Sequence, residues 1–200
     1  VTRLPLLLYT TVHGGNLNGS IYSLASNGSV YGTGDRNLAP YAGQSGAVWR
    51  NAAYSIDSRS SFETWFSMMM NGEHGDGMTF TIRRSDAPPL GAGSYELGYG
   101  GISPSLAIEF DTWGNAAFSD YNSNHIAVLR NGNVTSHPAF GSWGSGVYSP
   151  SFQMYNGGPF FVRVTYTPTA PYRLTVEAST SSWSWSGQPV IDVNLNQPLS

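Results

Sequence analysis

The 200-residue chain contains no cysteine and no lysine. Without thiols, neither a disulfide framework nor a cysteine-ligated zinc site can form, and the redox compartment leaves no mark on the sequence. Charge of both signs is scarce. Nine Arg and twelve Asp or Glu amount to 10% of the residues, against roughly 25% in an ordinary globular protein. That scarcity excludes a disordered charged tail or a long charged helix. The net charge is −3, and the arginines are scattered apart from Arg83-Arg84. A counterion-releasing grip on nucleic acid is not expected, nor attraction to an anionic membrane. Long apolar runs are missing as well. Leu6-Leu7-Leu8, behind Pro5, is the longest near the start, far short of the ~18 residues of a membrane span. The chain starts at Val1 rather than Met, so a processed or excised protein is expected, with any signal peptide outside it.

What the chain does have is aromatic and turn-forming residues. Aromatics reach 14%, and 24 Gly and 12 Pro are spread along the whole length. No helical period persists, and the pattern suits many short strands joined by tight turns. Strands are expected on both sides of Asn27-Gly28 within Ile21 to Tyr31. Further strands are expected at Ser61 to Met70, Met78 to Arg83, Leu106 to Phe110 and His125 to Arg130, the last turning at Asn131-Gly132. Phe160 to Thr167 should pair with Tyr172 to Ala178 across a proline-flanked turn, and Val190 to Leu195 should form the last strand. Residues 32–46, Ser85 to Gly101 and Thr112 to Asn124 read as loops. Such a set in one domain, residues 1–200, implies an all-β, two-sheet antiparallel sandwich.

The acids are unevenly placed. Asp76, Asp86, Glu96, Glu109, Asp111 and Asp120, half of the twelve, fall between residues 76 and 120. Glu109 and Asp111 sit two apart on an expected strand, so both side chains share one face while Phe110 points into a core. Two carboxylates held together raise each other's pKa unless something positive lies between them. Asp111, Asp120, Asn115 and a backbone carbonyl near Trp113 offer the hard oxygen donors that Ca²⁺ takes. Glu109 and His125 add a mixed oxygen and nitrogen set that suits a transition metal such as Mn²⁺. Taken alone, a Glu-x-Asp on a strand is usually a solvated face, and a lone His usually a hydrogen-bonded surface residue. The run of ligand types from Glu109 to His125 favours the metal.

Glu109-Phe-Asp-Thr-Trp-Gly-Asn115 followed by Asp120-Tyr-Asn-Ser-Asn-His125 resembles the metal-binding strand and loop of the legume-type (L-type) lectin family, with its concanavalin A-like jelly roll. Gly75-Asp76-Gly77 and Ser61-Phe-Glu-Thr-Trp-Phe66 are similar to other stretches of that family. Leu97-Gly-Tyr-Gly-Gly-Ile102 is similar to its glycine loop in the form seen in bacterial members. The resemblance implies a secreted or cell-surface protein that binds glycans, with adhesion as a role, without altering them, with Ca²⁺ and a second metal, Mn²⁺ or another transition metal, fixing the sugar-contacting loops. By that resemblance Asp111 and Asp120 would touch both ions, Asn115 and the Trp113 carbonyl the Ca²⁺, and Glu109 and His125 the second metal. Asp76, following a cis peptide from Gly75, would accept from sugar hydroxyls, and the Asn115 amide would reach both Ca²⁺ and sugar. Trp113 and Phe118 are candidates to stack on the sugar, Phe118 being preferred. A backbone N–H at Tyr95, or at Gly93 after a shift, would donate to it.

Three departures from the family stand out. Asp120 lies one residue further from Asp111 than in plant members, Ser94-Tyr95-Glu96 is inserted, and the chain stops at Ser200, about two strands early. The last implies a fragment, or a sandwich completed by a further segment or by a homo-oligomer. A glycoside hydrolase on the same sandwich is the alternative function. Related enzymes carry a second Glu shortly after Glu-x-Asp, where this chain has Thr112, Trp113, Gly114 and Asn115, so hydrolysis is disfavoured. A structural or adhesion domain with an incomplete sugar site is the third reading.

Overall fold

A computed structural model describes residues 2–4, 22–26, 45–50, 56, 60–70, 76–116, 120, 122–134, 146–182 and 184–196. Among the described residues there are eleven strands: β1 (Thr2–Leu4), β2 (Tyr22–Ser26), β3 (Gly46–Arg50), β4 (Phe62–Met68), β5 (Gly77–Arg83), β6 (Ser105–Asp111), β7 (His125–Arg130), β8 (Val147–Tyr148), β9 (Phe160–Thr167), β10 (Arg173–Ser179) and β11 (Ile191–Asn194). The helical content of the described residues is one 3₁₀ turn, Ser94–Glu96. None of it is long and apolar enough to cross a membrane.

The strands form a five-stranded sheet ordered β1-β4-β9-β10-β11, a four-stranded sheet ordered β5-β6-β7-β8 and the separate pair β2-β3. Pairing is antiparallel except between β1 and β4, which run parallel. Parallel neighbours require a long connection, and residues 5–61 supply it.

Period-two alternation builds the core between the two larger sheets. Phe62, Phe66, Val162, Val164, Val176, Ile191 and Val193 come from one sheet; Met78, Phe80, Ile108, Phe110, Ile126 and Val128 come from the other. Aromatic rings bridge the layers: Phe66 stacks on Phe80 at 5.3 Å, and Phe110 lies 5.8 Å from Phe160, centroid to centroid. The four-stranded sheet is covered on its second face too. Ala107, Ala127 and Leu129 pack there against Ala87, Tyr99, Ile102 and Val134 from loops. Both central strands are consequently buried along nearly their whole length.

The expected strands from residue 61 onward agree with the structure to within a few residues. Asn131 and Gly132 turn with φ of 54° and 70°, the pair of positive values expected for Asn-Gly. Around residue 27 the first of the two expected strands is found as β2. β2 takes β3 as its partner, so the loop expected to run to residue 46 gives way to a strand from Gly46. Residues 27–31, which would have formed the second arm of an Asn-Gly hairpin, lie outside the described residues.

Candidate metal and sugar site

The register of β6 on β7 creates the site. Asp111 pairs with His125 and Glu109 with Ala127. Alternation puts Glu109, Asp111 and His125 on the face turned away from the main core, while Phe110 enters that core. The three polar side chains are nonetheless buried, with 1%, 1% and 0% exposure. One ligand atom from each lies within 4.8 Å of the others.

The histidine is oriented for ligation. Its Nδ1 lies 2.6 Å from the Asn122 carbonyl oxygen, and an N–H donated there puts the ring's lone pair on Nε2. Nε2 faces Glu109 Oε2 at 3.4 Å, and that carboxylate oxygen is buried without a hydrogen-bond partner. A lone pair set against an orphaned carboxylate oxygen in a dry site is unfavourable unless a proton or a cation lies between them. The pKa values follow. Burial lifts Glu109 above the usual carboxylate range, against the pull of His125. Burial also pushes Asp111 up to about 7, the Trp113 N–H and His125 opposing, the charges of Glu109 and Asp120 adding. For His125, burial presses the pKa down, but Glu109, the Asn122 carbonyl and Asp111 together hold it above its ordinary value. Protons and a cation therefore compete for the same three side chains.

The loop after β6 is tied by its own polar side chains. Asp111 Oδ1 accepts the Trp113 N–H at 2.7 Å. Asp120 Oδ2 accepts the Asn115 N–H at 2.5 Å, and Asn115 Nδ2 donates to the Trp113 carbonyl at 3.2 Å. Trp113 itself is 49% exposed. Asp76 joins this end through its backbone, its carbonyl accepting the Thr112 N–H at 2.8 Å. Gly77 explains how the strand starts so close. It pairs with Asp111 at φ +147°, and a Cβ there would lie 2.2 Å from the Phe110 carbonyl oxygen.

Glu109, Asp111 and His125 thus form one cluster, and Asp120, Asn115 and Trp113 belong to the loop running from it. Asp76 is anchored beside that loop. Gly93 and Tyr95 sit on a different loop, where Gly93 abuts Ser45 and Tyr95 is 40% exposed. Phe118 and Gly75, and with Gly75 the peptide bond before Asp76, lie outside the described residues. Sequence reasoning missed two positioning residues. Asn122 aims the His125 ring, and Asn124 staples the loop to the next segment, donating to the Phe152 carbonyl at 2.9 Å and accepting the Met154 N–H at 3.1 Å. The Asn122-Ser-Asn124 run just before His125 was the available signal, since Asn side chains bond nearby backbone.

A two-sheet jelly-roll sandwich with a buried carboxylate and histidine cluster at the foot of an Asn-rich loop defines a lectin-type β-sandwich. A family model for the legume lectin domain matches residues 41–197, and the chain belongs to that family. The 2-acetamido-2-deoxy-D-galactose-binding seed lectin 2 of Cytisus scoparius is 27% identical over 128 residues, 58% of this chain and 47% of that protein. The chain spans about half the length of that curated relative. Among solved structures, peanut lectin with a 9mer peptide superposes with a TM-score of 0.64 at 21% identity, covering 94% of this chain and 83% of that one. The exoplasmic/lumenal domain of VIP36 in its Ca²⁺/Man3GlcNAc-bound form gives 0.59 at 20% identity, over 87% and 70%. The matched proteins are lectins, which bind sugars and are not enzymes.

Proposed function

We propose that the protein binds glycans at the Asp111 end of β6 through loops ordered by cations, as a secreted or cell-surface module, and performs no chemistry on the sugar. The carrying observation is the Glu109, Asp111 and His125 cluster, whose buried Glu109 Oε2, without a hydrogen-bond partner, and His125 Nε2, facing it at 3.4 Å, fit a divalent cation. Membership of the legume lectin domain family supports carbohydrate as the ligand.

The mixed nitrogen and oxygen set would hold Mn²⁺ or a similar ion, and Asp111, Asp120, Asn115 and the Trp113 carbonyl would hold Ca²⁺. When bound, these ions supply positive charge that neutralises the carboxylates and fixes the loop. The side chains then do the recognition. The Asp76 carboxylate accepts from sugar hydroxyls, and the half-exposed Trp113 offers an apolar face for the ring. Glycan-array binding is expected to vanish in EDTA and return with Ca²⁺ and Mn²⁺; binding indifferent to chelation overturns this reading. Asp76→Ala is expected to abolish sugar binding while cation affinity and melting temperature stay within error. Retained sugar binding in that variant would place the site elsewhere.

A further inference from the structure

Tyr99 is fully buried, with 0% exposure, although it belongs to a loop. Its ring is set into the outer face of the four-stranded sheet among Ala107, Ala127, Leu129 and Ile102. Small residues at 107 and 127 leave the room. Ala107 is two before Glu109 on β6, and Ala127 pairs with Glu109 across to β7. The ring therefore packs on the same sheet face as the carboxylate cluster, against the residue two before Glu109 on β6 and the residue paired with Glu109 on β7. The hydroxyl is pinned as well, 2.8 Å from Ser105 Oγ, which donates in turn to the Ile102 carbonyl at 2.5 Å. From this plug the loop runs back through Glu96, Tyr95 and Gly93. It is closed by Ala92 N–H to the Gly100 carbonyl at 2.9 Å, and by Tyr99 N–H and Gly100 N–H to the Glu96 carbonyl at 2.8 and 3.0 Å.

We propose that Tyr99 is a positioning residue with two separable duties: its ring walls water away from the Glu109 side of the cation cluster, and its hydroxyl seats the loop that carries Gly93 and Tyr95. An apolar shell controls solvent access to a metal site and so its affinity. A dry wall strengthens the attraction of carboxylates for a cation by lowering the local dielectric. The ring's duty rests on the cation reading of the cluster; the hydroxyl's duty does not. Because one residue serves both, a cation held by Glu109 and an ordered glycine loop favour each other, and that coupling is reciprocal.

The test uses the full chain in three variants, with Mn²⁺ and Ca²⁺ affinity read by calorimetry and amide hydrogen exchange read at Ala92, Gly100 and Glu96, whose N–H donates to the Gly93 carbonyl at 3.2 Å. Tyr99→Phe keeps the wall and drops the hydroxyl, so cation affinity should stay within about twofold while exchange at the three amides rises. Tyr99→Ala removes both and should also weaken cation affinity by roughly tenfold or more. Leu129→Ala truncates the same outer cluster two residues beyond Ala127 on β7 and should lower the melting temperature with neither effect. If Leu129→Ala weakens cation binding as much as Tyr99→Ala, or if loop exchange is unchanged in both Tyr99 variants, the assignment is wrong and Tyr99 is ordinary packing. Should the unaltered protein bind neither cation, the wall role and the cation reading fall together, and exchange in Tyr99→Phe still decides the seating role.

Discussion

Thr64 lies on the core face of β4 between Phe62 and Phe66, 1% exposed, with its hydroxyl buried and without a hydrogen-bond partner. An unmade hydrogen bond in a dry core leaves the desolvation cost of the hydroxyl uncompensated. Thr64→Val, which keeps the shape and removes the oxygen, is therefore expected to stabilise the protein by about 1 kcal/mol in denaturant unfolding; a loss of stability would mean that the hydroxyl finds a partner. At this scale the sequence was most readable where period two decides. The shared face of Glu109 and Asp111, and the inward Phe110, follow from spacing alone. Their burial does not. An outer sheet face is ordinarily wet, and here the loop bearing Tyr99, together with Val134, covers part of it.

Among the elements, the Asn131-Gly132 turn and the glycine loop interlock. Gly132 has φ +70°, its carbonyl accepts the Gly101 N–H at 3.0 Å, and a Cβ on it would lie 2.4 Å from the backbone nitrogens of Gly101 and Ile102. Gly101 also has positive φ, at +81°, but a Cβ there would meet nothing within 4 Å. Gly101→Ala should thus cost only the left-handed strain of about 1 kcal/mol, whereas Gly132→Ala adds a backbone collision and should cost clearly more, with the loop amides exchanging faster. Equal costs in thermal unfolding would contradict the interlock. On the other sheet, Arg163 Nε donates to Glu177 Oε2 at 2.6 Å, Gly187 N–H donates to Glu177 Oε1 at 3.0 Å, and the Trp185 ring lies 5.3 Å from the Arg163 Cζ. This brace holds the Ser-rich connection against β9 and β10 and gives Trp185 a packing role. Strands β9 to β11 were legible because Val, Ile, Tyr and Phe alternate there with polar residues. Strand β2, Tyr-Ser-Leu-Ala-Ser, was expected ahead of Asn27-Gly28, though not its pairing with β3; β3, Gly-Ala-Val-Trp-Arg, is poor in β-branched residues and was not located by propensity.

For the molecule as a whole, the cluster links stability to both pH and cations. Asp111 ionises at about 7 in the folded protein against 3.8 as a free side chain, and Glu109 is raised in the same direction. A raised carboxylate pKa contributes stability that is complete below the unfolded value and is lost as pH climbs through the folded one. The raised pKa of His125 acts in the same sense, its share fading as pH rises beyond the ordinary 6.5. Without cations the melting temperature is therefore expected to fall between about pH 4 and pH 7 on account of this cluster. Excess Ca²⁺ and Mn²⁺ should abolish or reverse the fall, because a cation favours the charged carboxylates. A cation-free melting temperature that rises across that window would refute the assignment of the cluster. The family was legible from one strand and one loop because ligand chemistry fixes residue type and spacing together. The glycine loop's seat was not, since it depends on which residues meet in space.

The unequal exposure of the tryptophans has an optical consequence. Trp49 lies under the Arg83 guanidinium, 4.5 Å from its Cζ, and Trp185 lies against that of Arg163; Trp113 stands half in solvent with its backbone tied to Asp111. Of these three indoles, Trp113 is the one an aqueous quencher such as iodide reaches most readily. Its emission will respond to whatever settles beside Asp111, so the protein carries an intrinsic fluorophore at the place where a ligand is expected, and titrations need no added dye.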